Sequence, residues 1–301
     1  MREIADFGLR IADLGKSKCA WFVASIFCSL LAVGGRAQDG LRVDVNLVNV
    51  FLTVQDARGQ FVTGLTANDF RVYEDGVEQK IAVFEKEDAV ESAIGLLVDN
   101  SGSMVDILPM TKAGILTFAR TFQRFEELFV MAFGTNVRLL HDVRGSLSRL
   151  ERELDGLKPR GTTVLYDALL EAMRKVGESE HVRKALIVFA DGNDNGSLAG
   201  HRDASLEAQR SGVLLYFIAI GSPVHIDKNT IESLASLSGG RVVYLNKTDP
   251  VPPAMETIRA ELAKQYYVGY YAPRKPGFHQ IRVEIPARDV RIRAKTGYFG
   301  S

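Results

Sequence analysis

The stretch Ala93-Ile94-Gly95-Leu96-Leu97-Val98-Asp99-Asn100-Ser101-Gly102-Ser103 decides the fold. Its apolar residues run without polar alternation, which reads as a strand buried on both faces, the pattern of a central parallel strand covered by helices. Asp99 then stands at the carboxyl end of that strand. In open α/β sheets the crevice beyond those ends receives ligands, because the loops diverge there and leave side chains free to converge. Asp99, Ser101 and Ser103 alternate with Asn100 and Gly102, so three oxygens are expected to share one small space. Such a donor set suits a hard cation. The plain alternative is an ordinary strand-to-helix loop, in which Asp, Ser and Gly are common.

Two more stretches join elements where oxygen atoms reach the same crevice. One is Pro159-Arg160-Gly161-Thr162-Thr163-Val164-Leu165-Tyr166-Asp167-Ala168, and the other is Ala185-Leu186-Ile187-Val188-Phe189-Ala190-Asp191-Gly192. With these in place the chain resembles the von Willebrand factor type A (VWA) family. The metal-ion-dependent adhesion site (MIDAS) of that family combines D-x-S-x-S, a distant Thr in a G-[GT]-T loop and an Asp in a strand-ending D-G. The resemblance covers roughly residues 90 to 262, and the flanks look like those of bacterial exported VWA-related proteins.

The resemblance implies a divalent ion, Mg²⁺ or else Mn²⁺ or Ca²⁺, held by Asp99, Ser101, Ser103, Thr163 and Asp191. Thr162 is the alternative to Thr163, because the loop reads Gly-Thr-Thr where the family often has Gly-Gly-Thr; motif alignment favours Thr163. Asp167 is either a group that supports the ligands or a first-turn carboxylate favoured by the helix dipole. The resemblance also implies that the Asp or Glu carboxylate of a protein partner completes the coordination. Two carboxylates among five side chains leave the cation electrophilic enough for that.

Composition sets outer limits. The 301 residues, 46% of them hydrophobic, allow two domains and a sizeable core. Formal net charge is zero, and without a basic block the chain carries no electrostatic footprint for nucleic acid. Arg10, Lys16 and Lys18 precede the apolar run Cys19 to Val33, with small residues at Gly35 and Ala37. This order reads as a secretory signal peptide over residues 1–38 with cleavage after Ala37, and an uncleaved anchor is the alternative. Both cysteines, Cys19 and Cys28, lie inside it, so the mature chain is expected to hold no disulfide or thiolate site. The protein is expected in the periplasm, at the cell surface or secreted, with no stable membrane span after cleavage.

Residues 39–89 alternate as strands do. Val43, Val45 and Leu47 run in one phase, and Val48, Val50, Leu52 and Val54 in the other. This slip predicts a bulge or a strand switch at Leu47-Val48. Glu74-Asp75-Gly76 reads as a hairpin turn between Phe70–Tyr73 and Ile81–Phe84. The acidic residues of this region are read as solvated turn residues, in preference to a second ion site.

From 90 to 263 strands and helices alternate, which specifies a doubly wound, mostly parallel α/β sheet of Rossmann-like VWA type. Ile115, Phe118, Ala119 and Phe122 predict a helix of about four turns, Ser146 or Ser148 caps the next, and Val251-Pro252-Pro253-Ala254 is expected to precede the last. Residues 264–301 return to strands. Neither β segment closes a sandwich alone, so the two are expected to pair into one flanking β-sandwich-like domain carrying the α/β domain as an insertion. Beads on a string is the alternative.

Enzyme chemistry finds no support. His141, His181, His201, His225 and His279 lack zinc-hydrolase spacing and read as surface or satisfied interior residues. No G-x-S-x-G elbow or P-loop is present. Asp191-Gly192-Asn193-Asp194-Asn195-Gly196 matches the start of a calcium loop, but Arg202 stands where a bidentate Glu is required. Asn193, Asp194 and Asn195 are read instead as a rim able to contact a partner. The expected function is an exported, metal-dependent, non-enzymatic protein-binding module of adhesion type. A structural component of a cell-envelope complex, with the metal as a local brace, is the alternative.

Overall fold

The computed structural model describes residues 45–86, 91–121, 127–142, 145–286 and 288–300. The signal-peptide reading of residues 1–38 and the helical position of Phe122 lie outside these residues. Among the described residues no helix is long and apolar enough to cross a membrane.

The chain opens with strands β1 (Val45–Gln55), β2 (Arg71–Glu74), β3 (Val77–Gln79) and β4 (Ile81–Glu85). The α/β part follows as β5 (Ser92–Asp99), α1 (Leu108–Ala119), β6 (Glu127–Phe133), β7 (Val137–His141), α2 (Leu147–Gly156), α3 (Leu165–Gly177), β8 (Arg183–Phe189), α4 (His201–Arg210), β9 (Leu214–Ile220), α5 (Lys228–Ser238), β10 (Val242–Leu245) and α6 (Val251–Ala263). Strands β11 (Tyr266–Pro273), β12 (Gly277–Glu284), β13 (Arg291–Ala294) and β14 (Gly297–Gly300) close it.

The central sheet has the order β10-β9-β8-β5-β6-β7. Every neighbouring pair is parallel except the edge strand β7, which runs antiparallel to β6. All eight residues of β5 are buried, because each face of the sheet is covered. Ile94, Leu96 and Val98 pack with Ile115 and Phe118 of α1 and Met255 and Ile258 of α6, while Ala93 and Leu97 pack with α3 residues on the other face. Gly95 permits the close approach of α3: a Cβ there would lie 2.6 Å from Val176 Cγ2 and 2.8 Å from Leu186 Cδ1. The doubly wound sheet is therefore built as the apolar runs require.

The N- and C-terminal strands interleave. One sheet has the order β13-β1-β11-β4 and the other β14-β12-β2-β3. Val48, Val50, Leu52, Tyr266, Val268 and Tyr270 from the first meet Phe70, Val72 and Ile281 from the second in a shared core. This is the sandwich-like domain made from both ends of the chain. Phe51 and Tyr267, stacked with ring centroids 5.1 Å apart, point the other way and join the core of the α/β part. The two domains thus share apolar burial, which a beads-on-a-string arrangement lacks.

That double use of β1 corrects the expected bulge. Residues 45–52 pair with β11 in one unbroken register, and the register shift falls instead between Gly269 and Tyr270, where β11 meets β4. The phase slip involves no distorted backbone: Val48, Val50, Leu52 and Val54 face the sandwich core, while Leu47, in the other phase, is 39% exposed. The hairpin is corrected too: Glu74 pairs with Val77, so the strand after the turn is β3, and β4 crosses to the other sheet. Helix α1 spans twelve described residues and begins at Leu108 with a proline in its first turn. Ser146 is the cap of α2, its side chain accepting from Arg149 N at 3.3 Å. Pro252 and Pro253 lie inside the first turn of α6, where the missing N–H groups have no helical partner to lose.

Because β11 is the shared neighbour of β1 and β4, a chain ending at Lys264 is expected to lose protection of the β1 amides. Exchange over residues 46–55 should accelerate by at least ~100-fold, equivalent to roughly 2.7 kcal/mol of local stability. Unchanged hydrogen exchange there would contradict the pairing's importance.

Candidate metal centre

Asp99 is the last residue of β5, and the chain turns at once into a short 3₁₀ segment over Gly102–Met104. This turn matters for the chemistry. In an extended strand Asp99 and Ser103 would stand roughly 13 Å apart, too far to share an ion. The Met104 N–H donates to Ser101 O at 3.1 Å, and the wound segment brings the Ser101 and Ser103 hydroxyls to 3.0 Å. Convergence comes from the turn and not from the alternation of Asp99, Ser101 and Ser103 along an extended chain.

Backbone bonds fasten the second loop to the first. Gly102 N donates to Gly161 O at 3.3 Å, and Arg160 N donates to Asn100 O at 2.8 Å. Gly161 has φ +79°, and a Cβ on it would lie 2.1 Å from Thr135 Oγ1, so glycine is required on both counts. Thr163 is buried, while Thr162 is exposed with its N–H on Thr135 Oγ1 at 3.3 Å. Of the two threonines, Thr163 has the inward position.

The third loop is tied to the second as tightly. Thr163 N donates to Asn195 Oδ1 at 2.8 Å and Asn195 N donates to Thr163 O at 3.0 Å. Asp191 Oδ1 accepts from Asn193 N at 3.0 Å, and Asp191 O accepts from Asp227 N at 2.9 Å. Asp194 is a brace more than a rim group: its carboxylate accepts from the Ser197 hydroxyl and from Tyr166 N. Asn195 likewise holds Thr163 in place, and Asn193 Nδ2 donates to His225 O at 2.8 Å. Asp167, in the first turn of α3, accepts from Leu198 N at 2.9 Å and Ala199 N at 2.8 Å. It anchors the loop that follows Asp191, a role between the two that the sequence left open.

Asp99 is fully buried. Its Oδ1 accepts from Ser101 N at 2.7 Å, and its Oδ2 has no hydrogen-bond partner. Burial pushes its pKa up to about 6; the Asp191 charge pushes the same way, and the bonds from Ser101 oppose both. A buried oxygen without a donor, within electrostatic reach of a second carboxylate, is costly unless a cation stands near it. Two carboxylates and neutral hydroxyls are the hard oxygen set that Mg²⁺-class ions take. The residues present therefore fit a divalent ion.

Fold and site together define an α/β domain with an oxygen-lined crevice at the carboxyl ends of its parallel strands. The sequence profile of the von Willebrand factor type A domain matches residues 93–255, more than half of the chain, and the protein belongs to that family. The chain is 24% identical to integrin alpha-M of Mus musculus over 189 residues, which are 59% of this chain and 16% of that protein. It thus spans well under two thirds of that relative's length. Among solved structures, the von Willebrand factor type A protein from Catenulispora acidiphila superposes with a TM-score of 0.51 at 13% identity, covering 84% of this chain and 73% of the other. Proximal thread matrix protein 1 from the mussel byssus, solved with a zinc-occupied MIDAS motif, gives a TM-score of 0.49 at 19% identity over 63% of this chain and 50% of its own.

Proposed function

We propose that the protein is an exported, non-enzymatic binding module in which Asp99, Ser101, Ser103, Thr163 and Asp191 hold a divalent cation that accepts an Asp or Glu carboxylate from a partner protein. The observation that carries this reading is Asp99 Oδ2, buried without a donor beside Asp191 and the serine hydroxyls. When bound, the cation supplies Lewis acidity and a coordination position open to solvent. The chain's part is to hold the donors ready: Thr163 by its paired bonds to Asn195, Asp191 by Asn193 and Asp227, and Asp99 by Ser101 N.

The surroundings support docking of a protein. Val105, Leu198 and Val224 are 59%, 100% and 84% exposed, and they lie on loops after β5, β8 and β9, at the same end of the sheet as Asp99. Exposed apolar groups around a polar centre are usual in recognition surfaces. Export rests on the leader read over residues 1–38. Mg²⁺ is the ion proposed, because the donors are all oxygen.

Calorimetric titration tests the proposal. Mg²⁺ is expected to bind, and a panel of Asp- and Glu-containing peptides to bind at least about tenfold more tightly with Mg²⁺ than with chelator, a difference of ~1.4 kcal/mol. Metal binding with no carboxylate response would favour the brace role instead.

A further inference from the structure

Glu74, Asp75 and His279 lie in the β domain and belong to no part of the Asp99 centre. Glu74 ends β2, Asp75 opens the turn with φ 48°, and His279 lies in β12. Each offers one ligand atom, and these atoms all lie within 4.8 Å of one another. His279 Nδ1 is 2.8 Å from Asp75 Oδ2 and 3.9 Å from Glu74 Oε1. From the sequence these residues read as solvated turn acids and a surface or satisfied interior histidine. In the fold Glu74 is only 8% exposed and His279 only 7%.

The atoms turned away from this centre are each fixed by a bond. The hydroxyls of Tyr270 and Tyr298 donate to Glu74 Oε2 at 2.7 and 3.1 Å. Gln280 N donates to Asp75 Oδ1 at 2.9 Å. The carbonyl of Lys275 lies 3.0 Å from His279 Nε2, which makes Nε2 the protonated nitrogen and aims Nδ1 at the two carboxylates. Glu74 Oε1 lies 3.9 Å from His279 Nδ1, in a residue that is more than nine-tenths buried. An imidazole lone pair set against two carboxylates is repulsive, so positive charge must stand at Nδ1. A proton supplies one charge against two, and Lys275 acts only weakly, on Asp75. A divalent ion balances both.

We propose that Glu74 Oε1, Asp75 Oδ2 and His279 Nδ1 form a second metal site, suited to Zn²⁺ or a similar late first-row ion. One imidazole nitrogen with two carboxylate oxygens matches the borderline chemistry of that class better than that of Mg²⁺. Zinc keeps such ligands at about 2.0–2.2 Å, so they stand roughly 3 to 4 Å apart, close to the separations here. A metal-bound histidine commonly gives its other N–H to a carbonyl, as His279 does to Lys275. Asp75 has a half-exposed side chain, which leaves water a path to the fourth position. Through Glu74 and Asp75 on one side and His279 on the other, the ion fastens the first hairpin to β12. It therefore staples the N- and C-terminal parts of the discontinuous domain.

The experiment uses the full mature chain carrying Asp99→Asn, so that the first centre does not compete. ZnCl₂ is titrated calorimetrically and the histidine ring nitrogens are followed by NMR. One equivalent is expected to bind, with the His279 Nδ1 resonance shifting at saturation. His279→Gln and Glu74→Gln are each expected to weaken binding by at least about tenfold. The Glu74 variant keeps an acceptor for both tyrosines, so it reports on the site even where His279→Gln fails to fold. Zinc that leaves the His279 resonances unmoved, or that binds Glu74→Gln as tightly as the parent, would overturn the site and leave a protonated imidazole between two acids.

Discussion

Replacing Glu261 with alanine is expected to destabilise the fold by about 3 kcal/mol, read as a shift of the urea midpoint at constant slope. Glu261 lies in α6 and is fully buried. Its Oε2 accepts from Arg241 Nε at 2.6 Å, and its Oε1 accepts from the Tyr216 hydroxyl at 2.9 Å and from Arg293 Nη2. Burial, followed by the Glu261 charge, raises the Tyr216 pKa well above its ordinary value, so the phenol stays a donor. One carboxylate therefore answers two guanidinium groups and a phenol. Removing it leaves both cations without a counter-charge in a largely dry interface. The cost falls at the low end of the usual range for breaking a buried pair, because Arg241 and Arg293 keep 28% and 25% of their side-chain surface in water. Arg293 belongs to β13 and Glu261 to α6, so the loss should loosen the β domain from the α/β domain. A double-mutant cycle with Arg293→Met should return a coupling of at least ~1 kcal/mol. Additive effects would show that the contact between the domains does not depend on this ion pair.

What the sequence made legible was whatever has a local signature. The unbroken run Ala93 to Val98 announced burial on both faces, and the acid at its end placed the crevice, because strand direction and loop position follow from chain order. Thr163 and Asp191 entered through motif spacing, and the structure stitches their loops together by backbone bonds that motifs do not encode. The convergence of Asp99, Ser101 and Ser103 was attributed to alternation, but it depends on the 3₁₀ turn at Gly102–Met104, whose winding is set by the loops around it. Long-range partners were not legible. Leu47-Val48 looks like a bulge because nothing local tells an exposed apolar residue in one unbroken strand from a change of phase. Glu74 reads as a solvated turn acid and Glu261 carries no local mark, since a charge beside a turn or in a helix is usually solvated. Only the arrival of Arg293 and Tyr298 from the end of the chain makes those acids interior groups.

Asp99→Asn is expected to abolish Mg²⁺ binding, with an affinity loss of at least ~100-fold, or about 2.7 kcal/mol, while the fold survives on the apolar burial of its sheet. The stability difference between this variant and the parent should narrow as metal is added. In chelator the parent carries an ionised, fully buried carboxylate whose Oδ2 lacks a donor. Its folded pKa is raised from 3.8 to about 6, so the native chain holds the proton more tightly than the unfolded chain does. Stability therefore falls as pH rises between those values and stays lower at pH 7, by an amount on the order of 3 kcal/mol. Asparagine removes the charge, and the metal-free variant should melt at the same temperature or higher. With Mg²⁺ at a hundred times its dissociation constant the parent gains about 2.7 kcal/mol, and the variant gains at most about 0.4 kcal/mol. Thermal unfolding of both chains at pH 7, with chelator and then with Mg²⁺, measures all four states. Parallel melting shifts in parent and variant on adding Mg²⁺ would place the ion somewhere other than Asp99.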